Sequence, residues 1–262
     1  MKNFVFTVLF CFASVSTTFA QADKSDPKTI HVYVALCDNK HQGIVPVPAA
    51  IGDGQKPDSN LYWGCSEGVR SYFKKSKDWK LLDTKEKDGI VLERLVFKHA
   101  SKNYYLVADG YDGQFIKECI KDFLASSCGD RKGTIEVDGK TLGIGGNSSL
   151  VAYVGHNGLM DWRDVLPLPE TFKNTDGQKR DVIILACASK RYFAPLLENA
   201  HVNPLVWTTD LMYPGAFILH DALAGYINGE TNEAIRERAA AAYARNQRCG
   251  LKGARGLLVT GW

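Results

Sequence analysis

The chain has 262 residues, with 32 Lys and Arg against 29 Asp and Glu, a formal net charge of +3. Its basic residues are interspersed with acidic ones, even in the densest run, Lys74 to Lys87, where Asp78, Asp83 and Glu86 break up the lysines. That is a solvated face and not the clustered cations that a phosphate backbone demands, so nucleic-acid binding is not expected.

At the N-terminus Lys2 precedes an apolar run from Phe4 to Ala13, followed by Ser14 to Ala20 and the small-residue ending Thr18-Phe19-Ala20. This pattern predicts a secretory signal, residues 1–20, cleaved after Ala20. The apolar run is about half the length needed to span a bilayer, so no stable membrane insertion is expected after cleavage, and the mature protein is expected to be secreted or periplasmic. Removing twenty residues from 262 leaves 242, residues 21–262, a length that suits a single α/β domain.

After a polar lead-in, the β-branched run Thr29 to Leu36 predicts a buried strand ending at Cys37-Asp38-Asn39. Pro, Gly, Asp and Asn crowd Pro46 to Asn60, predicting a long loop of the kind that often carries function. Helical spacing of Val69, Tyr72 and Phe73 predicts a helix over 65–75. A short strand at 79–82 follows, then a hairpin of 91–99 with 103–108 and a helix carrying Phe115, Ile116, Cys119, Ile120, Phe123 and Leu124 on one face. Asp109 and Asp112 fall in the predicted Gly-containing turn before that helix, where Asp112 suits a helix cap better than a cation site. A small hairpin is predicted over 134–142, strands at 149–154, 181–186 and 204–208, and helices at 214–227 and 232–248. Strands separated by helices predict a largely parallel sheet flanked by helices.

Six cysteines remain after the signal, with spacings that resemble neither a disulfide-dense scaffold nor a paired zinc motif, so no metal or other cofactor is expected. Gly143 to Gly146 precedes a strand and not a helix, which argues against a phosphate cradle. No G-x-S-x-G elbow is present for a serine hydrolase.

In a parallel sheet, ligands bind beyond the carboxyl ends of the strands. Three predicted strands end there in reactive groups: Cys37-Asp38, His156 and Cys187. A histidine and a cysteine at neighbouring strand ends can act as base and nucleophile, with backbone amides at Gly158 and Cys187 as oxyanion donors.

The segment Leu150 to Gly158, which contains His156, and the segment Val182 to Cys187, whose cysteine lies 31 residues beyond the histidine, resemble the paired signature of the caspase-like clan of cysteine peptidases. That clan includes caspases, legumains, gingipains and clostripains. The resemblance implies a caspase-haemoglobinase-like α/β fold, a His156 and Cys187 dyad, and a peptide or protein substrate. Asn157 stands where the clan places a glycine, and Ala188-Ser189 replaces the Arg-Gly that follows the cysteine in caspases. In the clan, the loop after the next strand lines the pocket for the residue before the cleaved bond. Here that loop holds Asp210, which with Asp38 implies preference for a basic residue. The competing expectation is a catalytically inactive caspase-fold binding protein of the cell envelope, which would keep Cys187 packed or bonded instead of reactive.

Overall fold

The computed structural model describes Met1 and residues 26–86, 89–161 and 172–262; the predicted signal segment Lys2 to Ala20 lies outside the described residues. In chain order the elements are β1 (Lys28–Ala35), α1 (Val69–Lys75), β2 (Trp79–Glu86), β3 (Val91–His99), β4 (Tyr104–Tyr111) and α2 (Ile116–Cys128). Then come β5 (Lys132–Val137), β6 (Lys140–Gly145), β7 (Leu150–Val154), β8 (Asp181–Leu185) and α3 (Ser189–Leu197). The last are β9 (Asn203–Thr208), α4 (Ala216–Ile227), α5 (Asn232–Gln247), α6 (Leu251–Leu257) and β10 (Leu258–Val259).

Eight strands form one mixed sheet in the order β10-β9-β8-β7-β1-β4-β3-β2, while β5 and β6 pair separately. The central strands β9, β8, β7, β1 and β4 run parallel, and β10, β3 and β2 are antiparallel to their neighbours. This is the α/β architecture that the alternation of strand and helix patterns predicts.

The parallel strands are buried on both faces, which is why they read as continuous apolar runs: every residue of β7 is buried, as are seven of the eight in β1. Alternate residues of β1 serve different layers. Ile30, Val32 and Val34 pack with Phe73 of α1, Leu219 of α4 and Ala239 of α5. Tyr33 and Ala35 pack on the opposite face with Phe123 of α2 and Phe193 of α3. A fully buried Phe such as Phe123 stabilises the fold by about 2–3 kcal/mol. α2 stops at Gly129, whose φ of +91° closes the helix with bonds to the Ala125 and Ser126 carbonyls.

Two expectations need correction. The predicted turn at Asp109 is strand, because β4 runs on to Tyr111 and pairs along its length with β1. The helix predicted from Cys65 begins at Val69, because Asn60 folds the preceding chain into tight turns. The Asn60 Oδ1 accepts the Cys37 and Tyr62 N–H groups, and its Nδ2 donates to the Cys37 and Asp53 carbonyls. This one buried side chain ties the long loop to the end of β1.

The two sheet edges differ. β2 presents Lys80, Lys85 and Glu86 to solvent. β9 pairs with the two residues of β10, its Pro204 carbonyl accepts the Gly261 N–H and the Thr260 hydroxyl, and Trp262 stacks edge-on against Trp207 at 5.4 Å. Among the described residues no helix is long and apolar enough to cross a membrane.

Candidate active site

β7 and β8 are adjacent and parallel, with Val154 paired to Leu185, and the Gly155 N–H extends the ladder to the Leu185 carbonyl at 3.2 Å. His156 and Cys187 therefore each lie two residues beyond a paired position at the carboxyl edge of the sheet. The strand ends are bridged directly by Asn157, whose Nδ2 donates to the Cys187 carbonyl at 2.6 Å while its Oδ1 accepts the Leu159 N–H. Gly155 makes the close passage possible, since a Cβ there would sit 3.0 Å from the Ala35 carbonyl oxygen of β1.

His156 is held at its ring and at its backbone. Its Nε2 lies 2.7 Å from Asp161 Oδ2, and its carbonyl accepts the Tyr153 hydroxyl at 2.7 Å. Asp161 Oδ2 also accepts the Gly43 N–H, which joins the histidine to the loop after β1. A carboxylate only accepts, so a ring proton resides on Nε2, and in the neutral form of the imidazole the lone pair is on Nδ1. Nδ1 has no hydrogen-bond partner among the described residues.

Cys187 occupies a sharp strand-to-helix turn. Ala188 takes the left-handed conformation, φ +47° and ψ +34°, and α3 starts at the next residue. For alanine this conformation costs about 1 kcal/mol or more, and it persists because neighbours over-determine it. The Ala188 N–H donates to the Asp210 carbonyl, the Ser189 N–H to Thr208 Oγ1, and the Ser189 hydroxyl to the Ile184 carbonyl; Thr208 Oγ1 also bonds the Ala186 carbonyl. The Cys187 Sγ accepts the Met212 N–H at 3.3 Å and donates to the Met212 carbonyl at 3.4 Å, and no hydrogen bond joins it to His156.

The six cysteines among the described residues are unpaired. Burial pushes the Cys37 and Cys128 thiols up to about 11 and raises those of Cys65 and Cys119. These four are poor nucleophiles, whereas Cys187 is only half-buried.

The other predicted site residues are placed differently from one another. The Gly158 N–H turns back onto the His156 carbonyl at 3.1 Å and is engaged, whereas the N–H groups of Asn157 and Cys187 have no partner among the described residues. Asp38 is buried. Its Oδ1 accepts the Lys40 and His41 N–H groups, and its Oδ2 meets His41 Nδ1 and Gln55 Nε2. Burial alone would raise its carboxyl, but the bonds from Gln55, His41 and the Lys40 backbone outweigh that and hold it below the usual carboxylate range. Asp38 thus organises its own loop. Asp210 is exposed, and among the described residues its Oδ1 accepts only the adjacent Leu211 N–H at 2.7 Å. It does not cap α4, which begins after Gly215. Asp112, as expected, caps the short 3-10 turn before α2 through the Gln114 N–H.

Sequence reasoning passed over Asn157 and Asp161. Asn157 was visible as the residue displacing the clan's glycine, but nothing in the sequence says that it bridges two strands. Asp161 lies five residues after the histidine, at the end of a 3-10 turn over Gly158–Met160, with no periodicity to mark it.

Comparison of the chain with protein-family models, curated proteins and solved structures finds no match.

Proposed function

We propose that this protein is a cysteine peptidase-like hydrolase of caspase-like type, exported to the periplasm or the cell exterior, with Cys187 as nucleophile and His156 as base. The observation that carries the reading is the register. Histidine and cysteine each stand two residues past a paired position on neighbouring parallel strands, with Asn157 bonded across the gap. The matched segments Leu150 to Gly158 and Val182 to Cys187 support the clan, and the apolar run ending in Thr18-Phe19-Ala20 supports export.

In the proposed chemistry the Cys187 proton passes to His156 Nδ1 as sulfur attacks the substrate carbonyl carbon. Asp161 keeps the other ring proton on Nε2 and balances the imidazolium that forms. The carbonyl oxygen becomes an oxyanion facing the Cys187 and Asn157 N–H groups, near the positive end of the α3 dipole. The C–N bond then breaks, His156 returns the proton to the leaving amine, and water hydrolyses the thioester. Of the two acids, Asp210 is the exposed one and would receive a basic side chain.

A second reading, an inactive binding protein of the same fold, is favoured by one observation: the thiol bonds the Met212 peptide on both sides instead of His156. Mapped alkylation separates the two. Iodoacetamide at mildly acidic pH should modify Cys187 first, and His156→Ala should slow that reaction while leaving the exposed Cys249 unaffected. Equal rates at Cys187 in both proteins, together with no hydrolysis of a mixed peptide library, would leave the binding reading in possession.

A further inference from the structure

A cavity of about 310 Å³ lies on the α2 face of the sheet, walled by β1, β3 and β4 and by the β5-β6 hairpin. Its floor is an ion cluster in a place where a sheet normally carries apolar side chains. Asp109 accepts Arg94 Nε and Nη2, each at 2.6 Å, and His31 Nε2 at 3.1 Å. The Gly145 N–H donates to His31 Nδ1 at 2.9 Å. That bond fixes the tautomer, with the proton on Nε2 facing Asp109, so the ring is neutral and adds no charge. Buried ion clusters are weak sources of stability compared with apolar packing, so this one calls for another reason to exist.

The charges around the cavity do not balance. Arg94, Arg131 and Lys132 line it against the single acid Asp109. The rim cations have partners behind them: Arg131 meets Asp122, which also accepts the Tyr111 hydroxyl, and Lys132 meets Asp176, which also pairs with Arg180. Behind the rim Arg180 and Asp176 are joined by Asp130, bonded to Thr175 Oγ1, so the excess of cations belongs to the cavity wall itself. The rim is also fixed at its base. The Arg131 N–H bonds the Ala125 carbonyl, and its own carbonyl accepts the Gly146 N–H at 2.6 Å. Gly145, at φ +60°, permits that approach, because a Cβ there would lie 2.2 Å from the Arg131 carbonyl oxygen. A planar guanidinium on an anchored backbone is suited to carboxylate or phosphate oxygens.

We propose that this cavity is a binding site for a compact polyanion bearing carboxylate or phosphate groups, gripped by Arg131 and Lys132 at the rim with Arg94 behind them. The site is independent of the peptidase reading, since its test is binding alone. Calorimetric titration of the full chain with citrate, and separately with inorganic phosphate, is compared with sodium chloride at matched ionic strength. Saturable binding of at least one ligand is expected, weakened by about tenfold or more in an Arg131→Ala/Lys132→Ala double variant. Both side chains are about half exposed, at 55% and 40%, so the variant should fold, which circular dichroism checks. A Lys74→Ala/Lys75→Ala variant on α1 should bind like the parent. Citrate alone would assign the carboxylate class and phosphate alone the phosphoryl class. Heats no larger than those of chloride for both ligands, or equal affinity in the double variant, would overturn the proposal.

Discussion

Asp161 Oδ2 holds two groups at once, His156 Nε2 at 2.7 Å and the Gly43 N–H at 3.0 Å, so one carboxylate sets the histidine tautomer and the position of the loop after β1. The fit is close: a Cβ on Gly43 would fall 2.4 Å from the Asp161 carboxylate.

On the proposed hydrolase reading, Asp161→Asn is expected to lower kcat about tenfold to a thousandfold with little change in KM, because an amide can donate as well as accept and no longer fixes the proton on Nε2. Iodoacetamide alkylation of Cys187 is the check: Asp161→Asn should slow it as His156→Ala does, whereas a merely structural role would leave the rate at Cys187 unchanged.

Asn157→Ala leaves the Cys187 carbonyl and the Leu159 N–H without their partner in a fully buried position. The expected cost is about 1–3 kcal/mol, read from the urea midpoint at constant m-value. Alkylation of Cys187 should also lose its dependence on His156 once the strand ends are unpinned.

Acid should weaken the fold through Asp109. Burial alone would raise its carboxyl, but the hydrogen bonds from Arg94 and His31 outweigh burial and hold it at about 2. A carboxyl depressed in the folded state binds its proton more readily when unfolded. Its stabilisation is therefore complete above the ordinary aspartate value and lost as pH falls toward 2, by about 2 kcal/mol. Denaturation measured between about pH 5 and 2.5 should show this slope, shallower in Asp109→Asn; an equal slope in that variant would assign it to other acids.

At the turn after Cys187, Ala188→Gly should keep the fold and leave stability level or raised by about 1 kcal/mol, because glycine adopts the left-handed conformation freely. Ala188→Val should destabilise clearly, since a β-branched residue is the worst match for φ +47°. Thermal melts of the pair decide it.

The two acids should separate in a peptide-library assay. Asp210→Ala is expected to reduce any preference for Arg or Lys before the cleaved bond, whereas Asp38→Asn should lower stability and leave selectivity unchanged, because all its carboxylate bonds are spent inside the loop. Cleavage after Asp or Glu in the parent would remove Asp210 as the reader.

The central strands were legible because residues buried on both faces leave continuous apolar runs, and the antiparallel pair β3 and β4 because a short polar link joins two such runs. α3 was not legible. Pro195 interrupts its pattern and its start depends on a left-handed alanine that no local signal announces. α6 and β10 were also hidden, since Gly253 and Gly256 suppress helical character and a two-residue strand exists only through its pairing with β9. The same division runs through the site. Residue types at strand ends pointed to His156 and Cys187, but the links from Asn157 and Asp161 arise from how neighbouring strands and loops meet, and no one-dimensional pattern encodes them.

The short cover over β9 makes residues 258–262 a guard against self-association. Leu258 and Val259 occupy backbone groups of Trp207 and Thr208 that would otherwise form an open ladder on an apolar strand, and Trp262 closes over Trp207. The opposite edge repels intruding strands with charge, but this one relies on occupancy alone. Loss of residues 258–262 would leave the β9 edge as an open template for a strand of a second copy.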